Sequence, residues 1–339
     1  MKNVFITGSA GFIGFHLAAC LLRAGFRVHG FDGITDYYDV RLKRRRHQML
    51  MQSAGFSATE AMLEDREALA HAAQAFAPDV VIHLAAQAGV RYSLSHPAAY
   101  ISANLVGAFN VIEMARACEV CHLLMASTSS VYGANTALPF AETAKIDTPL
   151  TLYAATKAAN EAMGHAYAHL WGLPTTMFRF FTVYGPWGRP DMALFKFTDA
   201  ILAGRPIDVY NHGNMSRDFT YIDDLVEAIR RLIQAIPPAP SDRPPPSAAA
   251  EDTLSPVAPF RVVNIGNSDK VQLLDFIETL ENELGRKAIR HYMPLQRGDV
   301  PATWANTDLL QRLTGYRPQT SYQQGVARFV AWFRDYYGK

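Results

Sequence analysis

The sequence predicts an α/β protein, with a doubly wound parallel sheet followed by a smaller C-terminal α/β lobe. Apolar, strand-like runs alternate with helical patterns through about the first 180 residues, which is typical of a parallel sheet covered by helices. Beyond about residue 185 the segments become shorter. We therefore expect a first domain over residues 1–183, to which some late segments return, and a second lobe over 184–339.

The chain opens with an apolar strand over residues 2–7, and a glycine-spaced turn follows at once. The glycines of this turn lead into a helical pattern that starts near His16. Glycines allow a tight turn and a close approach of the backbone to a diphosphate, and the free N–H groups at a helix start attract that anion. The turn therefore predicts a dinucleotide site on a Rossmann sheet, formed by Gly8, Gly11, Phe12, Ile13 and Gly14.

The second strand, over residues 26–31, ends in Asp32. An acidic residue at this position accepts hydrogen bonds from the hydroxyls of the adenosine ribose. Because its carboxylate repels the 2′-phosphate of NADP, we expect NAD as the cofactor.

Three further strands are predicted at residues 80–84, 122–126 and 175–180. In a doubly wound sheet, ligands bind beyond the carboxyl ends of the strands, so the residues after each run are site candidates. Small residues after the fourth strand allow the cofactor to approach, and we place Leu84, Ala85, Ala86 and Gln87 in its site. The hydroxyl cluster at 127–130 can hydrogen-bond a sugar, or it can be a turn of small polar residues.

Tyr153 and Lys157 stand four residues apart on a predicted helix, so they project from one face. We expect the ammonium to lie near the phenol and to lower its pKa from about 10 toward working pH. The alternative is an ordinary amphipathic helix with both side chains on its surface. The glycine turn upstream favours the catalytic interpretation.

Charge and composition argue against several classes of protein. The 339 residues carry a formal net charge of +1, which disfavours nucleic-acid binding, and the basic run at 41–47 is interpreted as a solvated helix face. No apolar run is expected to reach membrane-spanning length. The first strand starts too early for a signal peptide, so the cytoplasm is predicted.

Three cysteines suit a reducing compartment. Cys118 and Cys121 form a CxxC pair, but this pair falls at a helix end and has no second pair. Neither a redox motif nor a zinc site is therefore expected. We interpret both cysteines as packing residues and predict no metal.

The later part of the chain is predicted to form the smaller lobe. Short strands are expected at 207–210, 219–222 and 262–265, with helices near 271–284 and 322–337. Between residues 237 and 259 the sequence is rich in proline and polar residues. We predict a flexible surface excursion there.

Three motifs carry a resemblance to a known family. They are His83–Ser93 (HLAAQAGVRYS), Val131–Gly133 (VYG) and Tyr184–Met192 (YGPWGRPDM). Nearly end to end, the chain resembles an extended short-chain dehydrogenase/reductase of the nucleotide-sugar epimerase/dehydratase family. The third motif is the most specific of the three, and it resembles the UDP-glucuronate 4-epimerase group.

This resemblance implies roles for individual residues. Tyr153 would be the catalytic base, Lys157 would tune it and hold the nicotinamide ribose, and Thr128 would hydrogen-bond the reacting hydroxyl. Asn104 would support the cofactor site, and Arg217 would bind the diphosphate. We place in the substrate site Arg91, Ser129, Thr182, Arg189, Val209, Arg217 and Asp299.

Two positions depart from the family pattern. Many relatives carry an aspartate at the end of the third strand to hold the adenine amine, but Met62 stands there, beside Leu63, in the predicted cofactor site. In the related galactose epimerases an arginine precedes the late Gly-Asp pair by three places. Here Leu295 occupies that position and Arg297 adjoins the glycine.

The resemblance implies 4-epimerisation of a UDP-sugar, with UDP-glucuronate and UDP-galacturonate as the leading pair. Tyr153 would take the proton of the 4-hydroxyl while C4 passes hydride to NAD, and the 4-keto sugar would turn over before the hydride returns. NAD would stay bound throughout this cycle.

Other activities are weighed against this one. Dehydratases of the family carry an acid after the catalytic threonine, whereas Ser129 and Ser130 follow Thr128, so dehydration is disfavoured. A UDP-hexose or UDP-N-acetylhexosamine 4-epimerase is the alternative. A UDP-glucuronate decarboxylase and a non-catalytic NAD-binding sensor come after it.

A 4-keto uronate can lose carbon dioxide, so the site must orient its C5 carboxylate. We hypothesise that Arg189 and Thr182, helped by Ser129 or Arg91, hold this group, since a guanidinium fork suits a carboxylate. The alternative for Arg189 is a loop residue paired with Asp191. Family members commonly dimerise through helices of the first domain, so a homodimer is expected.

Overall fold

A computed structural model describes residues 2–243 and 252–339 of the chain. Its strands are β1 (Asn3–Thr7), β2 (Arg27–Asp32), β3 (Phe56–Glu60), β4 (Val80–His83), β5 (His122–Thr128), β6 (Thr175–Phe180), β7 (Thr182–Tyr184), β8 (Ile207–Val209), β9 (Ser216–Arg217), β10 (Phe219–Tyr221), β11 (Phe260–Ile265), β12 (Val271–Gln272), β13 (Arg290–Tyr292) and β14 (Ala302–Thr303).

The helices lie between these strands and at the end of the chain. They are α1 (Phe12–Arg23), α2 (Val40–Met51), α3 (Arg66–Phe76), α4 (Tyr92–Ser95), α5 (Pro97–Tyr100), α6 (Ala108–Ala117), α7 (Leu152–Trp171), α8 (Ala193–Leu202), α9 (Ile222–Leu232), α10 (Leu273–Leu284), α11 (Asp308–Thr314) and α12 (Tyr322–Tyr337). A π-helical stretch, Ile101–Gly107, joins α5 to α6.

Seven strands form one parallel sheet in the order β11-β6-β5-β4-β1-β2-β3. The strand order reverses beside β1, where Thr7 is in register with Phe31 of β2 on one side and with His83 of β4 on the other. A crevice at the carboxyl ends of the strands is expected at such a reversal. The predicted fold class is confirmed.

Alternate residues of β1 supply two cores, one on each face of the sheet. Phe5 packs on one face with residues of α3 and α6. Val4 and Ile6 face the other way, into a core that continues without a break to Phe276 and Phe329 in the later part of the chain. The core that contains Val4 and Ile6 therefore crosses the predicted domain boundary at 183/184, and the division into two domains stays a prediction.

One helical stretch differs from the expectation about membrane-spanning length. Pro97–Ala117 is long and apolar enough to cross a bilayer by length and composition alone. Half of its apolar window is buried in the fold, where α6 packs against α3 and α7. A buried core helix satisfies the same criterion.

Two smaller predictions also need correction. The flanks of the expected excursion pack, because Arg243 donates hydrogen bonds to the carbonyl oxygens of Pro238, Ser255 and Ala258, and Ala258 is fully buried. Residues 244–251 of that segment lie outside the described residues. Cys121 is exposed just before β5, so its interpretation as a packing residue is wrong, whereas Cys118 is half-buried.

The basic run at 41–47 is only partly a solvated face. It lies on α2, where Arg41, Arg44 and Arg45 are exposed but Lys43 and Arg46 are buried. The interpretation of the whole run as solvated is therefore wrong. Charge alone does not reveal which side of a basic helix faces the core.

Candidate active site

A cavity of about 550 Å³ opens at the carboxyl ends of β1, β2, β4 and β5. Its wall contains nearly every residue predicted for the cofactor, and the three predicted catalytic residues as well. These are Gly8, Gly11, Phe12, Ile13, Gly14, Asp32, Met62, Leu63, Leu84, Ala85, Ala86 and Gln87, with Thr128, Tyr153 and Lys157. The fold thus brings together residues that are up to 149 positions apart, from Gly8 to Lys157.

The glycine turn is too crowded for any side chain at two of its positions. A Cβ on Gly8 would lie 2.8 Å from the nitrogen of Ala85, and one on Gly14 would lie 2.0 Å from the carbonyl oxygen of Gly8. Gly8 also has a φ of +78°, in the left-handed region that favours glycine. The bare backbone and the start of α1 form a cradle that fits a dinucleotide diphosphate.

Asp32 is held by the backbone beside this cradle. Its carboxylate accepts hydrogen bonds from the amides of Ala10 at 2.9 Å and Ile34 at 2.8 Å. Two carboxylate oxygens offer about four acceptor sites, so positions remain for the ribose hydroxyls. The donors and acceptors of this wall therefore fit NAD.

Met62 lies at the same end of the cavity, with 43% of its surface exposed. A Cβ on Gly33 would lie 2.4 Å from the sulfur of Met62, so the thioether presses against that glycine. Where relatives carry an aspartate for the adenine, this wall offers an apolar contact instead.

Asn104 does not line the cavity but stands behind it. It is fully buried in the π-helical stretch, where its side chain accepts from the amide of Gln87 and donates to the Gln87 carbonyl and the Thr156 hydroxyl, at 2.8, 3.1 and 3.1 Å. These hydrogen bonds connect the loop that follows β4 to helix α7. They fit the supporting role predicted for Asn104.

A buried histidine that we assigned no role fixes the neighbouring strand ends. His83 Nδ1 lies 2.7 Å from the Thr7 hydroxyl, whose oxygen accepts from the amides of Leu84 and Ala85 at 3.2 Å each. Burial lowers the pKa of His83 to about 3, so its ring is neutral. This network positions the small residues that follow β4.

Tyr153, Lys157 and Thr128 meet at the other end of the cavity. Thr151 caps α7 by accepting from the amide of Ala154, so Tyr153 and Lys157 lie in the first two turns of the helix. Thr128 ends β5, and its hydroxyl hydrogen-bonds the Tyr153 phenol. The three side chains therefore form one group at the carboxyl end of the parallel sheet.

The expected effect of Lys157 on the phenol is not found. Its ammonium donates to the carbonyl oxygen of Ala126 at 2.8 Å, and burial raises the pKa of Tyr153 rather than lowering it. The hydrogen bond with Thr128 and the positive charge of Arg189 act in the opposite direction. Desolvation of the phenolate outweighs both influences.

The ammonium of Lys157 is buried in this site, which disfavours its charged form. Burial lowers the pKa of its ammonium to about 8, and the negative charge of Glu161 opposes that shift. Glu161 accepts from Ser127 at 2.5 Å and pairs with the buried Arg179 at 2.8 Å. Glu161 lies four residues after Lys157 on the same helix face, a spacing that could have indicated it in the sequence.

Arg189 also lines the cavity, within electrostatic reach of Tyr153. Its Nε and Nη2 atoms pair with the Asp191 carboxylate, at 3.0 and 2.5 Å, and the Tyr37 hydroxyl donates to the same carboxylate at 3.1 Å. This is the pairing that we considered as the alternative for Arg189. It engages two of the five N–H donors of the guanidinium.

The other predicted substrate residues lie outside the wall of this cavity. Arg91 pairs with Asp299 at 3.1 Å and stacks over the Tyr210 ring at 4.7 Å. Burial lowers the pKa of Arg217, with the charge of Asp299 opposing and that of Arg91 adding to the shift, so these three residues are neighbours. Together they form a separate, mainly cationic group.

Three more substrate candidates occupy varied positions. Thr182 is half-buried in β7, where its amide donates to the Asp218 carbonyl at 3.0 Å. Val209 is fully buried in β8. Ser129 opens the short 3-10 turn Ser129–Tyr132, directly after Thr128.

Sequence reasoning missed part of the wall. The loop after β2 and the start of α2 contribute Gly33, Thr35, Asp36, Tyr37, Tyr38 and Lys43. Lys43 donates from Nζ to the carbonyl and hydroxyl oxygens of Thr35, at 2.6 and 3.0 Å. Two tyrosines that closely follow Asp32 are the only sequence signal, and no motif calls attention to them.

The fold and this cavity define a dinucleotide-binding α/β protein with a tyrosine and a lysine in the cavity wall. The chain belongs to the NAD dependent epimerase/dehydratase family, whose model matches residues 4–242. The resemblance found in the sequence and the prediction of NAD are confirmed.

Two relatives match over almost the whole chain. A Rhizobium meliloti (strain 1021) protein named "Probable UDP-glucuronate 4-epimerase" is 60% identical, over 98% of this chain and 97% of its own length. "UDP-glucuronate 4-epimerase 4" of Arabidopsis thaliana is 44% identical, over 99% of this chain and 76% of its own length.

Two solved structures resemble the fold closely. UDP-glucuronic acid 4-epimerase from Bacillus cereus, in complex with UDP-glucuronic acid and NAD, has a TM-score of 0.87 at 28% identity, covering 99% and 100% of the two chains. UDP-glucose 4-epimerase from Thermotoga maritima, with UDP-glucose, has a TM-score of 0.83 at 26% identity, covering 99% of each.

Proposed function

We propose that this protein is an NAD-dependent 4-epimerase that interconverts UDP-glucuronate and UDP-galacturonate through a transient 4-keto sugar. The observation that carries the proposal is the group of Tyr153, Thr128 and Lys157 in one cavity with Arg189 beside it. The 60% identity to a relative named for this activity supports the choice of substrate.

In this proposal Tyr153 transfers the proton, and neighbouring residues adjust the pKa of its phenol. The phenolate accepts the proton of the sugar 4-hydroxyl and returns it at the end of the cycle. Thr128 hydrogen-bonds the phenol and the reacting hydroxyl, and the positive charge of Arg189 favours the ionised phenol. Lys157 would hold the nicotinamide ribose. The glycine turn and Asp32 would hold NAD, which would supply the hydride acceptor and donor for C4 in this cycle.

Arg189 has the properties needed to hold the uronate carboxylate. Two of its donors engage Asp191, and that pair fixes the guanidinium plane at the cavity wall while other N–H groups stay available. A carboxylate held by such a fork cannot rotate into the orientation from which carbon dioxide leaves. We assign this task to Arg189 first, with Thr182, Ser129 or Arg91 as helpers.

The UDP moiety is assigned to the group outside the cavity. Arg217 supplies positive charge for the diphosphate, and Asp299 orients the neighbouring Arg91 through their ion pair. Val209, buried in β8, contributes an apolar backing.

A homodimer, working in the cytoplasm, is part of the proposal. Ile101 and Val106 in the π-helical stretch and Phe109 at the start of α6 are large apolar side chains that are 39 to 47% exposed. On the neighbouring α7, Ala162 and Ala166 are exposed. A second copy of this chain fits such a surface. Small residues allow helices to approach closely, and large apolar side chains are stabilised when the contact buries them away from water.

A second candidate is a 4-epimerase of neutral UDP-hexoses. The pairing of Arg189 with Asp191 favours it, because a guanidinium neutralised by its own loop has less need of a substrate carboxylate. The two candidates differ in which sugar turns over, so a single experiment separates them.

The test is incubation of the purified protein, with no added NAD, with UDP-glucuronate and separately with UDP-glucose. Products are resolved by anion exchange and proton NMR, and Tyr153→Phe serves as the inactive control. We expect UDP-galacturonate alone. Conversion of only the neutral sugar would establish the second candidate, and a pentose product would mean decarboxylation.

A further inference from the structure

Helix α2 directs two of its basic side chains inward, toward the cofactor cavity. Lys43 lines the cavity, and Arg46 is fully buried behind it. Arg41 and Arg44 face solvent and pair with Asp39 and Glu60. The buried arginine therefore has a different task from its exposed neighbours.

Arg46 joins three segments that are distant in the sequence. Nη1 donates to the carbonyl oxygen of Ala10, in the glycine turn, at 3.1 Å and to the Tyr38 hydroxyl at 2.8 Å. Nη2 donates to the carbonyl oxygens of Trp187 at 2.5 Å and Gly188 at 3.5 Å. One guanidinium thus spans the cofactor turn and the turn that precedes Arg189.

The turn at Trp187 needs such a support. Trp187 has a φ of +61°, a left-handed conformation that bulky residues rarely adopt. A conformation of this kind persists only where its surroundings enforce it. The Arg46 hydrogen bond to the Trp187 carbonyl is one of those constraints, and the packing of the indole against Phe15 and Trp332 is another.

The charge of Arg46 has no acidic partner among the residues that the structure describes. Its acceptors are carbonyl and hydroxyl oxygens, and its Nε atom is buried without a hydrogen bond. A buried cation without a counterion is unfavourable unless an anion lies near it. The glycine turn that Arg46 contacts is built for a diphosphate, which supplies that anion.

We infer that Arg46 is a positioning residue that fastens the glycine turn of the cofactor site to the Trp187–Gly188 turn. Through this link it sets how tightly NAD is retained and where Arg189 stands. The first consequence concerns only cofactor binding, while the second rests on the proposed function. The proposed epimerisation requires the cofactor to stay bound between its two hydride steps, and the link through Arg46 serves that retention.

The experiment compares Arg46→Met and Arg46→Lys with Arg45→Met, an exposed neighbour on the same helix. Circular dichroism and thermal unfolding establish which variants are folded. The readout is the release rate of bound NAD, followed by a coupled dehydrogenase that reduces the nucleotide as it leaves. Lys keeps the positive charge but lacks the fork that reaches both turns.

We expect both Arg46 variants to release NAD about tenfold faster than wild type, as loss of hydrogen bonds from a charged donor implies. Arg45→Met should match wild type. With saturating NAD, the KM for UDP-glucuronate should also rise in Arg46→Lys. A rise confined to KM without faster NAD release would overturn the inference, as would wild-type release from Arg46→Lys.

If both Arg46 variants unfold, hydrogen exchange on the wild-type protein tests the link between the two turns. Loading with NAD should slow the exchange of the amides of Gly185, Trp187 and Gly188, and unchanged exchange would contradict the link. NAD release and amide exchange do not depend on which sugar is epimerised. Failure of this inference can therefore be told apart from failure of the proposed function.

Discussion

At the scale of single residues, the candidate site holds its charges at the expense of stability. Lys157 is buried, its pKa is lowered to about 8, and its ammonium donates to a backbone carbonyl rather than to a carboxylate. Below pH 8 this residue is charged in both the folded and the unfolded chain, so the full penalty of burying the charge applies. Between pH 8 and about 10.5 the folded protein has lost the proton that the unfolded chain keeps, so stability rises with pH.

We therefore predict that Lys157→Met stabilises the nucleotide-free protein at pH 7 while abolishing epimerisation. The gain is at most about 3 to 4 kcal/mol, from the size of the pKa shift at about 1.4 kcal/mol per unit. It should shrink as the pH rises above 8, where wild-type Lys157 also becomes neutral. Urea unfolding at pH 7 and pH 9.5 measures both effects, and a gain that does not change with pH would contradict this account.

Arg189 gives a second prediction at this scale. Its guanidinium lies in the cavity wall, held by Asp191. If it restrains the uronate, Arg189→Ala should lower the kcat/KM for UDP-glucuronate by about a hundredfold, as removal of a charged hydrogen bond implies. It should also release a 4-keto pentose through loss of carbon dioxide.

Proton NMR of the products and an assay of released carbon dioxide make this measurement. Arg205→Ala, which removes an exposed arginine paired with Asp199, is the matched control. Intact activity on the uronate without any keto-pentose would exclude Arg189 from this role.

At the scale of elements, the two sides of helix α7 have different roles. The spacing of Tyr153 and Lys157 places both on the cavity side of α7, while the opposite side presents Ala162, Ala166 and Leu170, the last with 65% of its surface exposed. One helix thus serves the site and an exposed apolar surface. The proposed dimer would bury that surface.

We predict that Ala162→Arg yields a monomer, because a charged, bulky side chain on this face prevents close helix packing. Size-exclusion chromatography with light scattering gives the mass directly. Glu283→Arg, on the exposed side of α10, should leave the oligomeric state unchanged. A dimeric Ala162→Arg protein would show that the contact lies elsewhere.

At the scale of the whole molecule, buried histidines make the fold sensitive to acid. Burial lowers the pKa of His16 and His122 to about 4 and that of His83 to about 3, so all three are neutral in the folded protein. The unfolded chain binds protons at these groups as the pH falls through 6.5, and stability is lost from there downward. Asp218 acts in the opposite direction, since burial raises its pKa to about 6.

Among these four groups, three histidines and one aspartate, the unfolded chain binds about two more protons than the folded protein. These groups should therefore contribute a fall in the free energy of unfolding of roughly 3 kcal/mol per pH unit between about pH 5.5 and 4.5. Urea unfolding across this range measures the slope. His122→Gln should reduce it, whereas replacement of the exposed His71 should not. A flat profile would mean that these histidines accept protons within the fold.

The sequence by itself determined the sheet, the glycine turn, Asp32, and the Tyr153 and Lys157 pair. Each depends on a pattern between near neighbours in the chain: a strand followed by glycines, a strand that ends in an acid, a four-residue helical spacing. Such patterns follow from backbone geometry, which acts locally. They were sufficient to predict most of the cofactor wall.

Only the tertiary structure decided which basic residues of α2 face the core, and how Arg189 is held. The contact between Arg46 and Trp187 joins residues 141 positions apart, and the one between Tyr37 and Asp191 joins residues 154 apart. The same holds for the phenol of Tyr153, whose pKa depends on burial by the whole fold rather than on its helical neighbour. Desolvation and long-range contacts exist only once the chain is packed, so no local pattern encodes them.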